Sequence, residues 1–142
     1  MTLDHHWFTE IHPATGSAFS LKLQGKLHEA QSPYQRVAVY ATEAFGNLMV
    51  IDGYIMLTSR DNFVYHEMMA HPALFTHPDP KRVLIVGGGD CGTLREVLRH
   101  PGIEAATQVD IDEEVTRAAE RYFPELCEAN GDPRARLRFD DG

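Results

Sequence analysis

The sequence predicts an α/β protein: a small antiparallel β-sheet domain followed by the first half of a Rossmann-like parallel sheet. Three observations predict it. Residues Ser17 to Leu27 alternate between apolar and polar, Asp52-Gly53 sits between two short apolar runs, and Val83-Leu84-Ile85-Val86 breaks into Gly87-Gly88-Gly89-Asp90. That last run is answered about twenty residues later by Val109-Asp110-Ile111-Asp112, the layout of a nucleotide-binding βαβ unit.

Within Ser17 to Leu27, Phe19, Leu21 and Leu23 fall on one side and Ser20, Lys22 and Gln24 on the other, the period of a half-buried strand. A second strand is expected near Arg36 to Tyr40. Asn47 to Ile51 and Tyr54 to Thr58 flank Asp52-Gly53, two residues that tolerate positive φ, and so predict a type I′ hairpin. From Asp61 the spacing turns helical, with Phe63, His66/Glu67, Ala70 and Leu74 on one stripe; Asp61 or Asn62 can cap, and Pro72 is expected to kink or restart the helix. Thr76-His77-Pro78-Asp79-Pro80 reads as a linker. The expected organisation is an antiparallel domain over residues 1–60, helix and linker over 61–80, and a partial Rossmann-like domain over 81–142.

Arg82 to Val86 is a continuous apolar strand, as when helices cover both faces of a sheet. Thr93 to Arg99 is the crossover helix and Ala105 to Asp110 the next strand. Glu113 to Phe123 is a second helix, with Asp112 as its cap and Val115, Ala118, Ala119 and Tyr122 turned to the sheet. Ala135 to Phe139 is a third strand, followed by Asp140-Asp141-Gly142. The first strand of such a sheet is normally central, so Arg82 to Val86 is expected to form a bare apolar edge that favours self-association or poor solubility.

Thirteen basic against twenty-one acidic residues give a formal charge of -8. That balance disfavours nucleic acid and anionic membranes as partners and suits cationic ones. The polar N-terminus, Met1 to Trp7, does not read as a secretory signal, and no apolar stretch approaches membrane-spanning length. Cys91 and Cys127, the only cysteines, have neither the number nor the spacing of a disulfide framework or a zinc knuckle, which fits a cytoplasmic protein. His66 and His71 are five apart, about 140° around a helix, where a zinc motif uses a spacing of four, so no metal is expected. His5, His6, His12, His28, His77 and His100 read as surface residues. Cys91 is not expected to be a nucleophile, since the carboxylate of Asp90 beside it raises a thiol's pKa.

Glycine loops let backbone approach a ligand, and the following helix start offers N–H groups, so phosphate is the default guest. Asp90 stands against phosphate. A carboxylate repels a pyrophosphate and attracts an ammonium or sulfonium, which points to a cationic adenosine compound.

Several motifs in order carry a resemblance: Tyr65-His66-Glu67-Met68-Met69, Gly87-Gly88-Gly89-Asp90, Leu94-Arg95-Glu96-Val97 with His100, Asp132-Pro133-Arg134 and Asp140-Asp141-Gly142. Together they resemble the N-terminal half of the spermidine synthase (polyamine aminopropyltransferase) family. The resemblance implies a class I methyltransferase-type sheet and a transfer reaction. An aminopropyl group passes from decarboxylated S-adenosylmethionine to putrescine, giving spermidine and methylthioadenosine, with the donor as substrate and no cofactor. It also implies a homo-oligomer, a dimer or larger.

By position, Asp90 would hold the aminopropyl ammonium and Asp110 the ribose hydroxyls, within a loop of Gly87, Gly88 and Gly89. Gln35 matches a glutamine on the donor nucleoside, and Asp141-Gly142 the pair beside adenine. His66, Tyr65 and Trp7 match positions along the polyamine channel, where Asp90 is shared and aromatic faces suit an ammonium. Two substitutions depart from the family: Cys91 stands for glycine or alanine, and Asp110 for glutamate. The resemblance places the base that deprotonates the attacking amine on an aspartate beyond Gly142, so no catalytic base is expected here. Two alternatives stay open, a methyltransferase on the same fold and a noncatalytic binding or interaction protein.

Overall fold

A computed structural model describes residues 3–141. The chain divides into two compact units, Met1–Asp61 and Asn62–Gly142. The first is a five-stranded antiparallel meander in the order β1-β2-β3-β4-β5: β1 (Trp7–His12), β2 (Ser17–Gln31), β3 (Arg36–Thr42), β4 (Asn47–Ile51) and β5 (Tyr54–Thr58). β1 is an addition to the expected strands, paired along β2 from Trp7 opposite Lys22 to His12 opposite Ser17. β2 also runs past Leu27 to Gln31, because register shifts between Leu23 and Gly25 and between Lys26 and His28 absorb its irregular middle. Leu21 is buried as its alternation requires, whereas Phe19, opposite Glu10 near the hairpin end, is exposed.

Asp52 and Gly53 turn β4 into β5 with φ of +50° and +87°, the signs a type I′ turn demands. Leu21, Leu48 and Val50 form the unit's core, with Phe8, Leu23, Tyr40, Phe45 and Ile55 packed around it.

The second unit opens with α1 (Asn62–Thr76), followed by β6 (Arg82–Val86), α2 (Gly92–Leu98), β7 (Ala105–Asp110), α3 (Glu113–Tyr122), a 3-10 turn (Pro124–Leu126) and β8 (Ala135–Phe139). β6, β7 and β8 pair in parallel, in that order. α1 packs with this unit, and Pro72 neither ends nor restarts it: the helix continues through the proline to Thr76. The residue missing its N–H sits one turn from the helix end, beside exposed Met68 and Met69, where water can satisfy the orphaned carbonyl. Asn62, His66, Ala70 and Leu74 form the buried stripe, at a spacing of four, and Phe63 faces out.

One face of the parallel sheet carries the core. Val83, Ile85, Ala135 and Leu137 pack on Ala70, Leu74, Leu94, Val97, Leu98, Ile103 and Ala106. On the other face Leu84 and Val86 are 66% and 70% exposed, so the apolar run is not covered on both faces as its composition predicts; β6 is a sheet edge, as expected for the first strand. Asp112 caps α3, its carboxylate accepting from the Glu114 N–H at 3.1 Å. Arg134 ties the start of β8 to the far side of the α2 crossover: it donates to the carbonyls of Leu98, His100 and Ile103 and pairs with Asp132 at 2.7 Å. Among the described residues no helix is long and apolar enough to cross a membrane.

Candidate functional site

The glycine loop joins the C-terminal end of β6 to α2. Gly87 and Gly88 have φ of +80° and +78°, and Gly87 N–H donates to Val109 O at 2.7 Å, which holds the turn against the neighbouring strand. Gly89 is required for space rather than for φ: a Cβ there would lie 2.9 Å from Asp110 Oδ2 and 3.1 Å from Val115 Cβ. Its carbonyl accepts from Thr116 Oγ1 on α3 at 2.7 Å. Strand, turn and both following helices therefore fix one loop conformation.

Asp110 ends β7 with both oxygens engaged by backbone, Oδ2 by Gly89 N–H at 2.8 Å and Oδ1 by Asp112 N–H at 2.9 Å. Each carboxylate oxygen can accept more than one hydrogen bond, so a held Asp110 still offers lone pairs to a diol. Asp90 is held on one side only. Its Oδ1 accepts from Gly92 N–H at 2.7 Å, no hydrogen bond among the described residues reaches Oδ2, and its side chain is 16% exposed.

His66 comes from α1 and is fully buried against this loop. A Cβ on Gly92 would come within 2.3 Å of the imidazole, so the ring lies directly on the start of α2. His66 Nε2 is 3.0 Å from Asp90 Oδ1, yet neither ring nitrogen makes an aligned hydrogen bond. The angular test decides here, and the approach counts as an electrostatic contact rather than a hydrogen bond. Tyr65 is exposed and stands edge-on to His66, with ring centroids 5.4 Å apart.

Gly87, Gly88, Gly89, Asp90, Asp110, His66 and Tyr65 thus share one region of the second unit. Asp141 adjoins it through Asp140, whose N–H donates to Asp110 O at 3.0 Å. Gly142 lies outside the described residues. Trp7 and Gln35 belong to the first unit. Trp7 lines a small cleft of about 240 Å³ with Leu21, Lys22, Glu43 and Phe45, and Gln35 closes a turn in which its N–H donates to Ser32 Oγ at 3.1 Å. A larger cleft of about 480 Å³, lined by Phe8, Arg36, Tyr40 and Asp52, contains none of the expected site residues.

Cys91 departs from expectation. It is fully buried, with φ of +68°, and its thiol is held below its ordinary range. The Cys127 thiol's hydrogen bond does most of this, opposed by burial and helped by the amides of Gln108 and Asn130. Asp90 raises it, as its charge requires, but is the smallest influence. His100 is also no plain surface residue: its Nε2 lies 2.9 Å from His71 Nδ1, and His71 Nε2 lies 3.3 Å from Glu96 Oε2. Burial first and His71 second hold His100 below its usual pKa.

Glu67, His71 and Glu96 bring ligand atoms within 4.8 Å of one another, as do exposed Asp4, His5 and His6. Glu96 is a poor metal ligand, because Arg95 takes one oxygen at 2.9 Å and Arg99 the other at 2.8 Å. Two guanidiniums at that carboxylate oppose a cation.

Comparison with known proteins bears on the whole chain. The model of the spermine/spermidine synthase domain matches residues 62–142, and that of the spermidine synthase tetramerisation domain matches residues 6–59. The chain belongs to the spermine/spermidine synthase family. The polyamine aminopropyltransferase of Alkalilimnicola ehrlichii is 70% identical over 142 residues, all of this chain and 50% of that protein. That of Thioalkalivibrio sulfidiphilus is 68% identical over the same span and share. The crystal structure of spermidine synthase from Thermotoga maritima superposes with a TM-score of 0.92 at 37% identity, covering 99% of this chain and 50% of that one. A spermidine synthase in complex with the transition state analogue AdoDATO gives 0.91 at 37% identity, with 99% and 48% covered. The chain spans about half the length of the curated relatives it matches.

Gln108, Thr116 and Cys127 also touch the loop or Cys91, and no motif in the sequence marks them. A signal existed for Gln108: it alternates with Ala106 on the buried face of β7, where a polar side chain needs a partner.

Proposed function

We propose that this chain forms the donor-binding portion of a polyamine aminopropyltransferase that uses decarboxylated S-adenosylmethionine and putrescine. The observation that carries this is Asp90, a carboxylate with one oxygen fixed by Gly92 N–H and the other open at the tip of the glycine loop. In the proposed complex Asp90 Oδ2 accepts from the donor's ammonium, a charge-assisted bond of about 1.5–3 kcal/mol. Asp110 accepts from the ribose hydroxyls, with Gly87, Gly88 and Gly89 giving close backbone access. Asp141 and Gly142 flank the adenine, and Gln35 contacts the nucleoside. Tyr65, His66 and Trp7 line the polyamine's path.

The amine attacks the carbon next to sulfur, that carbon–sulfur bond breaks, and neutral methylthioadenosine departs. A protonated amine has no lone pair to attack with, so a base must take its proton. No residue of this chain is assigned that role. The protein's share is positioning and charge matching, and no resident cofactor is involved. A cytoplasmic location and a homo-oligomer complete the proposal, the latter supported by the match to a tetramerisation domain over residues 6–59.

Titrating the chain with both donors tests the assignment. Decarboxylated S-adenosylmethionine is expected to bind more tightly than S-adenosylmethionine, whose extra carboxylate would face Asp90. Preference for the carboxylated donor would favour a methyltransferase instead.

A further inference from the structure

The proposed reaction leaves two cysteines unused, and they meet behind the glycine loop. Cys91 begins α2 and is fully buried; Cys127 follows the 3-10 turn and is partly exposed. Their sulfurs lie against consecutive carbonyls of the same loop, Cys91 Sγ 3.5 Å from Gly89 O and Cys127 Sγ 3.9 Å from Asp90 O. From β7, Gln108 Nε2 reaches Cys91 Sγ at 3.6 Å. Among the described residues the amide oxygens of Gln108 and Asn130 are buried without partners, and both side chains hydrogen-bond Cys91, so its sulfur has polar neighbours where an apolar core would have placed methyls.

The two thiols set each other's ionisation. Hydrogen bonding to Cys127 leads in holding Cys91 below its ordinary range, while hydrogen bonding to Cys91, then burial, pushes Cys127 far up. The pair gives up one proton readily and keeps the second.

We infer that Cys91 and Cys127 form an oxidisable dithiol whose disulfide ties the turn after α3 to the glycine loop and displaces Asp90 from its binding geometry. This inference rests on the donor-binding proposal for the role of Asp90, though not for the bond itself. A peroxide is the oxidant class. Proton exchange within the pair brings the thiolate to Cys127, the less buried residue of the two. That thiolate attacks one peroxide oxygen and the O–O bond breaks, leaving a sulfenic acid on Cys127 and releasing hydroxide. The released hydroxide takes the proton now on Cys91, the resulting Cys91 thiolate attacks the Cys127 sulfur, the S–O bond breaks, and a second hydroxide leaves. With the two thiol protons, the sum is two thiols and one hydrogen peroxide to one disulfide and two waters. The sulfurs lose two electrons and the peroxide oxygens gain them.

A disulfide draws the sulfurs to about 2.05 Å, well inside any hydrogen-bonded or van der Waals separation. Cys91 directly follows Asp90, and the Asp90 carbonyl is itself what Cys127 touches, so the movement is passed to the loop. Gly87 and Gly88, just upstream, let the backbone follow.

The test treats the purified chain with stoichiometric hydrogen peroxide, alkylates the remaining thiols and maps tryptic peptides by mass. The expected product is a cross-link between peptides Val83–Arg95 and Tyr122–Arg134, two hydrogens lighter than their sum and reversed by dithiothreitol. Affinity for decarboxylated S-adenosylmethionine, measured calorimetrically, is expected to fall at least about tenfold on oxidation and to recover on reduction. Cys127→Ser is expected to bind the donor alike before and after peroxide. Backbone hydrogen exchange over residues 87–95 reports the loop movement without any ligand.

Two alkylated thiols after peroxide, or Cys127 carried to sulfinic acid with Cys91 still free, would overturn the dithiol. A disulfide that leaves both donor affinity and loop exchange unchanged would overturn the switch. If the reduced chain binds no donor, the functional proposal fails, while the peptide map and the exchange data still decide this one.

Discussion

Replacing Asp90 with asparagine isolates the charge from the structure it supports. An asparagine keeps Oδ1 as acceptor for Gly92 N–H, now 2.7 Å away, so the loop and the start of α2 keep their hydrogen bond. What is lost is the negative charge, together with an acceptor at Oδ2, where the amide would present N–H to an ammonium. Two unit charges about 3–4 Å apart interact by about 4–6 kcal/mol at the effective dielectric of a protein surface. The side chain is 16% exposed, so water screens part of this and the hydrogen-bond figure of about 1.5–3 kcal/mol is the better measure. That corresponds to roughly a ten- to hundredfold loss of affinity. Isothermal titration with decarboxylated S-adenosylmethionine should show the full loss, whereas methylthioadenosine, which lacks the ammonium and the sulfonium charge, should bind within about twofold of the original chain. Equal losses for both ligands would mean that the substitution damaged the loop. No loss for either would remove Asp90 from donor recognition.

Gly89→Ala places a methyl 2.9 Å from Asp110 Oδ2 and 3.1 Å from Val115 Cβ. The carboxylate must move and release Gly89 N–H, so urea titration should show about 1–3 kcal/mol of destabilisation, and methylthioadenosine should bind at least about tenfold more weakly. Asp112→Ala removes the cap on α3 and should cost about 0.5–2 kcal/mol in the same unfolding assay. Asp132 is held at about 2, below its ordinary 3.8, first by the Arg134 side chain and then by the Arg134 backbone N–H. Because its folded pKa is depressed, its stabilising contribution is complete above the ordinary value and is lost as pH falls through about 2. Unfolding measured between these limits should therefore depend on pH less steeply in Asp132→Asn than in the original chain.

Local chemistry made some elements legible and not others. Asp52-Gly53 announces its hairpin because both residues must take positive φ, and Val83 to Asp110 announces a βαβ unit because strand, glycine turn and acid follow at fixed offsets. β1 was hidden because Trp7 to His12 lacks clean alternation, and part of what holds it is remote: Glu10 accepts from Ile55 N–H at 2.6 Å, across 45 positions of sequence. β2 runs beyond the alternating stretch that ends at Leu27 because register shifts against β3, between Leu23 and Gly25 and between Lys26 and His28, break the period of two while the pairing continues to Gln31. The site followed the same division. Asp90 and Asp110 stand in the motif itself, but nothing local reveals that the His66 ring lies on Gly92 or that Cys127 reaches Asp90 O.

The conflict between Asp90 and a phosphate-type loop is resolved by where its carboxylate goes. A glycine turn leading into a helix ordinarily leaves backbone N–H groups for an anionic guest. Here the chain supplies that anion from within: Asp90 Oδ1 takes the Gly92 N–H, and Asp110 Oδ2 takes the Gly89 N–H. Two of the donors that would cradle a phosphate are already occupied by carboxylates, which also place negative charge where the phosphate would sit. The His66 ring lies directly against Gly92 at the start of α2. On the proposed reading the acid after the third glycine is what turns this backbone from anions toward cations, since an acid at the end of the next strand is shared with dinucleotide-binding folds that hold a pyrophosphate. Removing the first acid should accordingly do more than weaken a cation: in Asp90→Ala the Gly92 N–H is left unpaired, and inorganic phosphate should begin to protect the loop from hydrogen exchange, which it should not do in the original chain.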